Sequence, residues 1–170
     1  MFTMTQQRII RPARSADATA LCAIYNHYVA HTTVSFEEEP VEAAEMAQRI
    51  RDVNAADLPW LVMIEGDHVI GYAYATRWRA RAAYRHSVES TVYLDQANIG
   101  QGAGRMLYEA LLDELRGREL HLVIGGITQP NEASVALHER LGFRKVAHFA
   151  EVGMKFGQWR DVGYWQLQLS

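Results

Sequence analysis

The 170-residue chain is predicted to form one α/β (α+β) domain over residues 1–170, with a mixed central β-sheet of about seven strands and helices on both faces. Two observations lead to this prediction. Strand-like apolar runs are grouped in hairpins, and near the middle of the chain a strand, a helix and another strand follow one another as a crossover. No repeat, low-complexity tract or Gly/Ser linker divides the sequence.

The first half of the chain is predicted to contain three strands and two helices. The segment from Arg8 to Pro12 is typical of a short strand, and Ser15 is expected to cap the helix that follows, with Asp17 in its first turn. Pro40 is expected to begin a second helix. The tight turn Glu65-Gly66-Asp67-His68 then joins two strands, Trp60 to Ile64 and Val69 to Ala75.

The second half is predicted to contain four strands and two helices. First come a strand from Ser87 to Leu94, a helix from about Ala103 to Arg116 and a strand from Leu120 to Ile127. A helix from Asn131 to Leu141 follows, and Gly142 is expected to cap its C-terminus. The last two strands, near Arg144 to Met154 and Gly163 to Leu169, are joined by a turn from Phe156 to Trp159. The predicted order is therefore β-α-α-β-β-β-α-β-α-β-β.

Composition excludes several classes of function. The formal charge of −3 and the scattered Lys and Arg residues argue against a general nucleic-acid-binding surface. A single cysteine, Cys22, argues against a disulfide framework and suits a reducing cytoplasm. The first residues form no long apolar run, so neither a signal peptide nor a membrane span is expected. His27 and His31 lack the glutamate of a zinc HExxH motif, so no metal is expected.

A glycine-rich turn between the middle strand and its helix carries the clearest functional pattern. Gly100, Gly102 and Gly104 allow positive φ and let a ligand approach the backbone N–H groups at a helix N-terminus, where Arg105 adds positive charge. The turn lacks the Gly-Lys-Ser/Thr of a Walker loop, and neither Arg105 nor Leu107 supplies the third glycine of a dinucleotide fingerprint. The spacing favours a pyrophosphate loop of the x-x-x-G-x-G type, and a ligand-free turn is the alternative.

Two further runs make the ligand more specific. The sequences VYLDQANIGQGAGR (residues 92–105) and NEASVALHERLGF (residues 131–143) resemble the Gcn5-related N-acetyltransferase (GNAT) superfamily. Three other strings, TVSFEEEP (33–40), RWRARAAYRHSVESTVYL (77–94) and VGMKFGQWRDVGYW (152–165), resemble its phosphinothricin and methionine sulfoximine/sulfone acetyltransferase branch. The chain departs from the family at Ile99, where Gln or Arg is usual, and a changed affinity for the cofactor is expected there.

The resemblance implies the GNAT fold and acetyl-CoA as co-substrate. By this resemblance the first run cradles the pyrophosphate, and the helix of the second run lies beside the pantetheine arm. The cofactor-binding set is predicted as Val92, Tyr93, Leu94, Gly100, Gln101, Gly102, Ala103, Gly104, Arg105, Asn131 and Ser134. Backbone N–H groups near Tyr93 and Leu94 are also expected to stabilise the negative charge that develops on the carbonyl oxygen.

Acetylation of an amine requires a neutral nitrogen, so a base has to remove a proton from the ammonium form. Glu89 is the best candidate, because burial in the apolar strand SVESTVYL would raise its pKa, and it matches the proposed base of the resembled branch. An outward-facing strand carboxylate is the alternative. His138 stands where many superfamily members have tyrosine, and we expect it either to protonate the leaving thiolate or to pack as a structural histidine.

The substrate is predicted to be a small amino acid whose carboxylate pairs with arginine. Arg79 and Arg81 match a substrate-contacting basic pair in the resembled branch, although a solvated basic loop is the alternative. The substrate-binding set is predicted as Phe36, Trp78, Arg79, Arg81, Glu89, Ser90 and Thr91. The leading hypothesis is direct acetyl transfer in a ternary complex to phosphinothricin, methionine sulfoximine or methionine sulfone.

Other functions remain open at this point. The acceptor can be a polyamine, an aminoglycoside or a protein N-terminus, or the domain can be a non-catalytic acyl-CoA-binding sensor. The resemblance also implies a homodimer that associates through the VGMKFGQWRD turn and the last strands, and the single cysteine predicts a cytoplasmic location. Neither a nucleic acid nor a membrane is expected as a partner.

Overall fold

The computed structural model describes residues 6–169. The seven strands are β1 (Arg8–Pro12), β2 (Trp60–Glu65), β3 (His68–Arg77), β4 (Ser87–Leu94), β5 (Leu122–Thr128), β6 (Arg144–Lys155) and β7 (Gln158–Gln168). The α-helices are α1 (Ala18–His31), α2 (Ala43–Ala55), α3 (Ala103–Arg116) and α4 (Glu132–Arg140). Short 3₁₀ turns occupy Ser15–Asp17, Ala82–Tyr84 and Gln96–Asn98.

The strands form one mixed sheet in the order β1-β2-β3-β4-β5-β7-β6. The β4–β5 pair is parallel and the remaining neighbours are antiparallel. Parallel neighbours need a crossover connection, and α3 supplies it. The predicted element order and the mixed seven-stranded sheet are confirmed.

Helices cover both faces of the sheet, because successive strand residues point to opposite sides. On one face Tyr93 of β4 packs against Tyr25 and Tyr28 of α1, with ring centroids 5.2 and 5.0 Å apart. On the other face the Ser90 hydroxyl lies 2.5 Å from the hydroxyl of Tyr108 on α3. We call the first the Glu89 face, covered by α1 and α2, and the second the Ser90 face, covered by α3 and α4.

Helix α3 is held firmly against the Ser90 face by an apolar stripe. Leu107, Leu111 and Leu115, at helical spacing, have no exposed surface. Burial of such a side chain contributes about 1.5–3 kcal/mol to folding. The stripe therefore fixes the N-terminus of α3, and with it the glycine-rich turn, at the end of β4.

Helix α2 begins at Ala43, three residues later than the Pro40 start predicted from sequence. The side-chain amide of Asn26 on α1 accepts from the backbone N–H of Val41 at 2.8 Å and donates to its carbonyl at 3.0 Å. The backbone N–H and carbonyl of Val41 therefore bond to Asn26, and Val41 lies before the first turn of α2. A long-range contact of this kind leaves no local sequence signal.

The cap of the first helix was also predicted wrongly. Ser15 makes no capping bond; instead the Asp17 carboxylate accepts from the backbone N–H of Arg14 at 2.7 Å and pairs with Arg11 through both oxygens at 2.9 and 2.8 Å. A charged pair with two hydrogen bonds is stronger than a hydroxyl cap. Asp17 therefore organises the turn that precedes α1.

The last hairpin is longer than predicted. Strand β7 starts at Gln158, whereas Gly163 was expected, so the predicted four-residue turn reduces to Phe156 and Gly157. Both residues have positive φ, 53° and 71°, as a two-residue type I′ turn requires.

Candidate active site

A gap opens in the sheet between the two parallel strands. β4 and β5 are paired only where Ser87–Glu89 face Leu122–Ile124. Beyond that point 90–94 of β4 pair only with β3, and 125–128 of β5 pair only with β7. The backbone groups that the ladders leave unpaired on these edges can bond a ligand that enters the gap, except the Leu94 carbonyl, which accepts from the Tyr28 hydroxyl at 2.5 Å.

The glycine-rich turn lies between β4 and the N-terminus of α3. Gly100 and Gly102 are left-handed, with φ of 79° and 77°, and nothing lies within 4 Å of where a Cβ would be placed on either. Open space in front of backbone N–H groups at a helix N-terminus fits a phosphate group. Gly104 serves a different purpose, since a Cβ there would come within 3.3 Å of Leu94 on β4.

The other predicted residues of this turn are arranged as follows. Ala103 is buried, whereas Gln101 is exposed. The Arg105 Nε lies 2.8 Å from the Glu109 carboxylate on the solvent side of α3, so in this state its charge is directed along the helix. Ile99 is exposed and supplies no polar group to the turn.

The N-terminus of α4 lies beyond the far edge of the gap, after β5. The Asn131 side chain caps the helix by accepting from the backbone N–H of Ser134 at 3.1 Å. Ser134 is half-buried one turn before His138. The predicted contacts of Asn131 and Ser134 with the cofactor stay predictions.

His138 belongs to a buried hydrogen-bond chain on the Ser90 face. Its Nδ1 lies 2.7 Å from the Ser134 carbonyl, which only accepts, so Nδ1 carries the proton. Burial lowers the pKa of His138, although the bond to Ser134 opposes this, so the ring is neutral near pH 7 and Nε2 is an acceptor. Tyr108, 3.0 Å away, then donates to Nε2, and the Ser90 hydroxyl donates to Tyr108.

Glu89 is half-buried on the opposite face, at the last paired position before the gap. Burial raises the pKa of its carboxyl, and the positive charge of Arg79 partly opposes that rise. The carboxylate lies over β5, since a Cβ on Gly126 would be 3.4 Å from its Oε1. Within residues 6–169 the carboxylate forms no ion pair.

A group of aromatic side chains lies beside this carboxylate, with Tyr164 next to it. The ring of Tyr164 lies 5.7 Å from that of Trp78 and 5.6 Å from that of Phe149. The guanidinium carbon of Arg79 lies 5.1 Å from the Trp78 ring centroid. Burial, followed by the charge of Glu89, raises the pKa of Tyr164, whereas Arg79 lowers it. Trp78, Arg79, Glu89 and Tyr164 thus form one continuous site.

The remaining predicted substrate residues are placed differently. Thr91 lies on the Glu89 face, opposite Tyr74 in the β3–β4 register, whereas Ser90 points to the other face and is 7% exposed. Arg81 is exposed at the start of the Ala82–Tyr84 turn, and it is Arg79 whose charge acts on Glu89. Phe36 packs against the backbone of Gly153 on β6, where a Cβ would come within 2.3 Å of its ring.

Sequence reasoning missed four residues that shape the site: Tyr108, Gly125, Gly126 and Tyr164. A Cβ on Gly125 would lie 2.7 Å from His138 Nε2, and one on Gly126 would lie 3.1 Å from the Tyr164 ring. Two adjacent glycines inside a strand are a signal of close approach by other groups. The Gly125-Gly126 pair was therefore readable from the sequence, whereas the two tyrosines were not.

Two kinds of feature are absent from the described part of the chain. Residues 6–169 contain no group of three His, Cys, Asp or Glu side chains placed to hold a metal. No helix within the same range is long and apolar enough to cross a membrane.

Comparison with known proteins gives a family match over most of the chain. The acetyltransferase (GNAT) domain family matches residues 10–163. That range contains the glycine-rich turn, the gap between β4 and β5, Glu89 and His138.

Individual relatives match over nearly the whole length. The phosphinothricin N-acetyltransferase of Streptomyces coelicolor is 39% identical over 164 residues, covering 94% of this chain and 95% of that protein. The L-methionine sulfoximine/L-methionine sulfone acetyltransferase of Salmonella typhimurium is 39% identical, covering 95% and 94%. The structure of a phosphinothricin acetyltransferase from Sinorhizobium meliloti in complex with acetyl-CoA superposes with a TM-score of 0.93 at 33% identity, covering 98% and 90%.

Proposed function

Because the chain belongs to the GNAT acetyltransferase domain family, we propose that this N-acetyltransferase transfers the acetyl group of acetyl-CoA to the α-amine of a small amino acid. The acceptor class is that named for the relatives, phosphinothricin and methionine sulfoximine or sulfone. The observation that carries the proposal is the position of Glu89. A carboxylate with a raised pKa lies beside the gap in the sheet, next to an arginine and among aromatic rings.

Glu89 is proposed as the base that prepares the amine. The ammonium form of an amino acid has no free lone pair, so one proton has to move to a carboxylate oxygen of Glu89, directly or through water. A carboxylate with a raised pKa accepts that proton more readily than an exposed one. Glu89 forms no ion pair within residues 6–169, so no salt bridge there has to break before one of its oxygens takes the proton.

Arg79 is proposed to hold the substrate carboxylate. It lies against Trp78 and acts electrostatically on both Glu89 and Tyr164, which places a positive charge beside the proposed base. Guanidinium–carboxylate pairing fixes orientation as well as affinity. The rings of Trp78, Tyr164 and Phe149 then form an amphipathic wall for the substrate side chain. Phe36, Arg81, Ser90 and Thr91 stay predicted substrate contacts.

Acetyl-CoA supplies an activated acetyl thioester. Its pyrophosphate is proposed to lie on the backbone N–H groups of the turn 100–104, beside the open space in front of Gly100 and Gly102. The N–H groups of Val92 and Leu94 point away from β3 toward the gap and are suited to stabilise negative charge on the thioester carbonyl oxygen, whereas the backbone of Tyr93 bonds to β3.

The leaving thiolate needs a hydrogen-bond donor, and the Ser90 face is proposed to supply one. The predicted proton donor was His138, but its only proton is bonded to the Ser134 carbonyl. The geometry supports an indirect role, in which His138 accepts from Tyr108 and so orients the Tyr108 and Ser90 hydroxyls. Both hydroxyl protons are used within this chain in the free protein, so one hydroxyl has to rotate toward the sulfur when the thiolate leaves.

A homodimer is proposed from the exposed surface of the last hairpin. Six large apolar side chains of β6 and β7 and their turn are 47–58% exposed: Val146, Phe149, Val152, Met154, Phe156 and Trp159. Large exposed apolar side chains concentrated on one hairpin are typical of an interface, and a two-fold partner would bring the same hairpin to cover them. A cytoplasmic location also stays a prediction, based on the single cysteine.

A screen of thiol release from acetyl-CoA tests the proposed function. Methionine sulfone, methionine sulfoximine and phosphinothricin should release CoA with formation of the N-acetyl product, whereas spermidine, kanamycin and a peptide with a free N-terminus should not. Reaction with only the second group would contradict the amino-acid assignment. Binding of acetyl-CoA without turnover of any amine would favour a sensor.

A further inference from the structure

Arg8, on the edge strand β1, contacts the glycine-rich turn from outside. Its Nη1 donates to the backbone carbonyl of Gln101 at 3.0 Å, and its Nη2 donates to the Gln101 side-chain oxygen at 3.1 Å. The third nitrogen, Nε, donates to the Glu65 carboxylate on β2 at 2.7 Å. One guanidinium thus joins the β1–β2 edge of the sheet to the turn at the N-terminus of α3.

The bond to Gln101 determines how the following peptide is oriented. In a planar trans peptide the carbonyl and the N–H point in opposite directions. Because the Gln101 carbonyl points to Arg8, the N–H of Gly102 points away from β1. Gly102 is the residue that precedes α3, where N–H groups can converge on an anion.

Side-chain packing does little to fix the two left-handed glycines of the turn. Gly100 and Gly102 are left-handed and would meet nothing within 4 Å at a Cβ, so their conformations are not fixed by packing. Ile99, where a polar side chain is usual in the family, is 51% exposed. The Gln101 amide donates to the Ala97 carbonyl at 3.2 Å, which extends the contact of Arg8 to the start of the turn.

We propose that Arg8, held by Glu65, is a positioning residue that pre-orders the turn 100–104 for the pyrophosphate of acetyl-CoA. The inference rests on the proposed function, since it requires that the turn binds this group. Ordering the glycines in the free protein lowers the entropy lost on binding, so affinity for the cofactor rises. Arg8 does not touch the Glu89 site, so the effect is confined to donors that carry the pyrophosphate.

Arg11 offers a matched control on the same strand. It forms an ion pair with Asp17 at 2.8 Å, as Arg8 does with Glu65 at 2.7 Å, and both arginine side chains are largely covered. Within residues 6–169 its side chain donates hydrogen bonds to Pro12 and Asp17 and none to the turn. Arg8→Met and Arg11→Met therefore each remove one arginine pair, and only the first removes contacts with the turn.

The test measures the dissociation constant of CoA by calorimetry and kcat/KM with two donors, acetyl-CoA and acetyl-pantetheine, which lacks the pyrophosphate. In Arg8→Met we expect CoA to bind about tenfold more weakly, with kcat/KM reduced far more for acetyl-CoA than for acetyl-pantetheine. Amide hydrogen exchange at 100–104 should also accelerate in the free protein. Arg11→Met should bind CoA as the parent does.

Affinity within twofold of the parent in Arg8→Met, or equal losses in both variants, would overturn the inference. If Arg8→Met does not fold, Arg8→Lys is the second variant. A single ammonium cannot hold Glu65 and both Gln101 oxygens at once, so a smaller loss confined to acetyl-CoA is expected, and parental affinity would again overturn the inference. A parent that binds no CoA would instead contradict the proposed function itself.

Discussion

Glu89 and Ser90 are adjacent on β4, yet their side chains lie on opposite faces of the sheet at the point where β4 and β5 separate. The strand pleat alone produces this arrangement. Glu89 faces Tyr164 and the charge of Arg79, whereas Ser90 faces Tyr108 and, through it, His138. The proposed base and the proposed hydroxyl donors therefore approach the gap from two sides.

Arg79 should matter for the amino acid and little for acetyl-CoA. Removing a charged partner of a carboxylate costs roughly 1.5–3 kcal/mol, so Arg79→Ala should raise KM for the amino acid by about ten- to a hundredfold. KM for acetyl-CoA should remain near that of the parent. Arg81→Ala is the matched comparison, and we expect a smaller effect because the charge that acts on Glu89 is that of Arg79. Equal effects of the two substitutions would contradict this assignment.

Gly125→Ala should damage the Ser90 face of the site. The added methyl would lie 2.7 Å from His138 Nε2, so the imidazole has to move away from Tyr108. We expect a loss of stability of about 1–3 kcal/mol, typical of overpacking, together with a fall in kcat. Gly117→Ala is the control, since Gly117 has negative φ and meets only a carbonyl at 3.6 Å. Thermal unfolding and steady-state rates measure both; a fully active and stable Gly125→Ala would refute the contact.

The dimer proposal predicts that charge on the last hairpin separates the subunits. Val152→Glu and Trp159→Glu introduce carboxylates at exposed apolar positions and should convert a dimer into a monomer. Ile9→Glu is the matched control, because Ile9 is 54% exposed on β1, at the opposite edge of the sheet. Light scattering coupled to gel filtration measures the molar mass of each variant in solution. A parent that is monomeric at micromolar concentration would remove the basis of the proposal.

The sequence predicted the elements well where local pattern determines structure. The strand from Ser87 to Leu94 and the helix from Ala103 to Arg116 have the predicted bounds, since alternation and an apolar stripe define them. The Pro40 start failed because Asn26, on a different helix, bonds the backbone of Val41. Such a contact depends on tertiary structure and has no local signature.

The sequence predicted several residues of the candidate site but not how they are arranged in space. Glu89 and Arg79 were named from sequence, and the structure brings their charges together. Sequence did not reveal that Ser90 lies behind the sheet with Tyr108, nor that Tyr164 covers Glu89 from β7. Both facts depend on which strands become neighbours, and the β5–β7 pairing joins segments far apart in the chain.

The proposed base works only when the Glu89 carboxyl is ionised. Burial raises the pKa of this carboxyl above its usual range, so folding favours the protonated form. Its contribution to stability is therefore fully present below the unfolded-state pKa and is lost as pH rises through the higher folded-state pKa. Activity depends on pH in the opposite direction: it increases as pH rises, because the base has to be ionised. The acid limb of kcat/KM should rise with pH through the folded-state pKa of Glu89.

The most direct measurement is the pH dependence of kcat/KM for parent and Glu89→Gln with methionine sulfone as the acceptor. The amide has nearly the shape of the carboxyl but cannot take a proton, so kcat should fall by about a hundred- to ten-thousandfold while CoA binds as before. The acid limb assigned to Glu89 should also disappear. A Glu89→Gln enzyme that keeps the parental rate and acid limb would show that another group is the base.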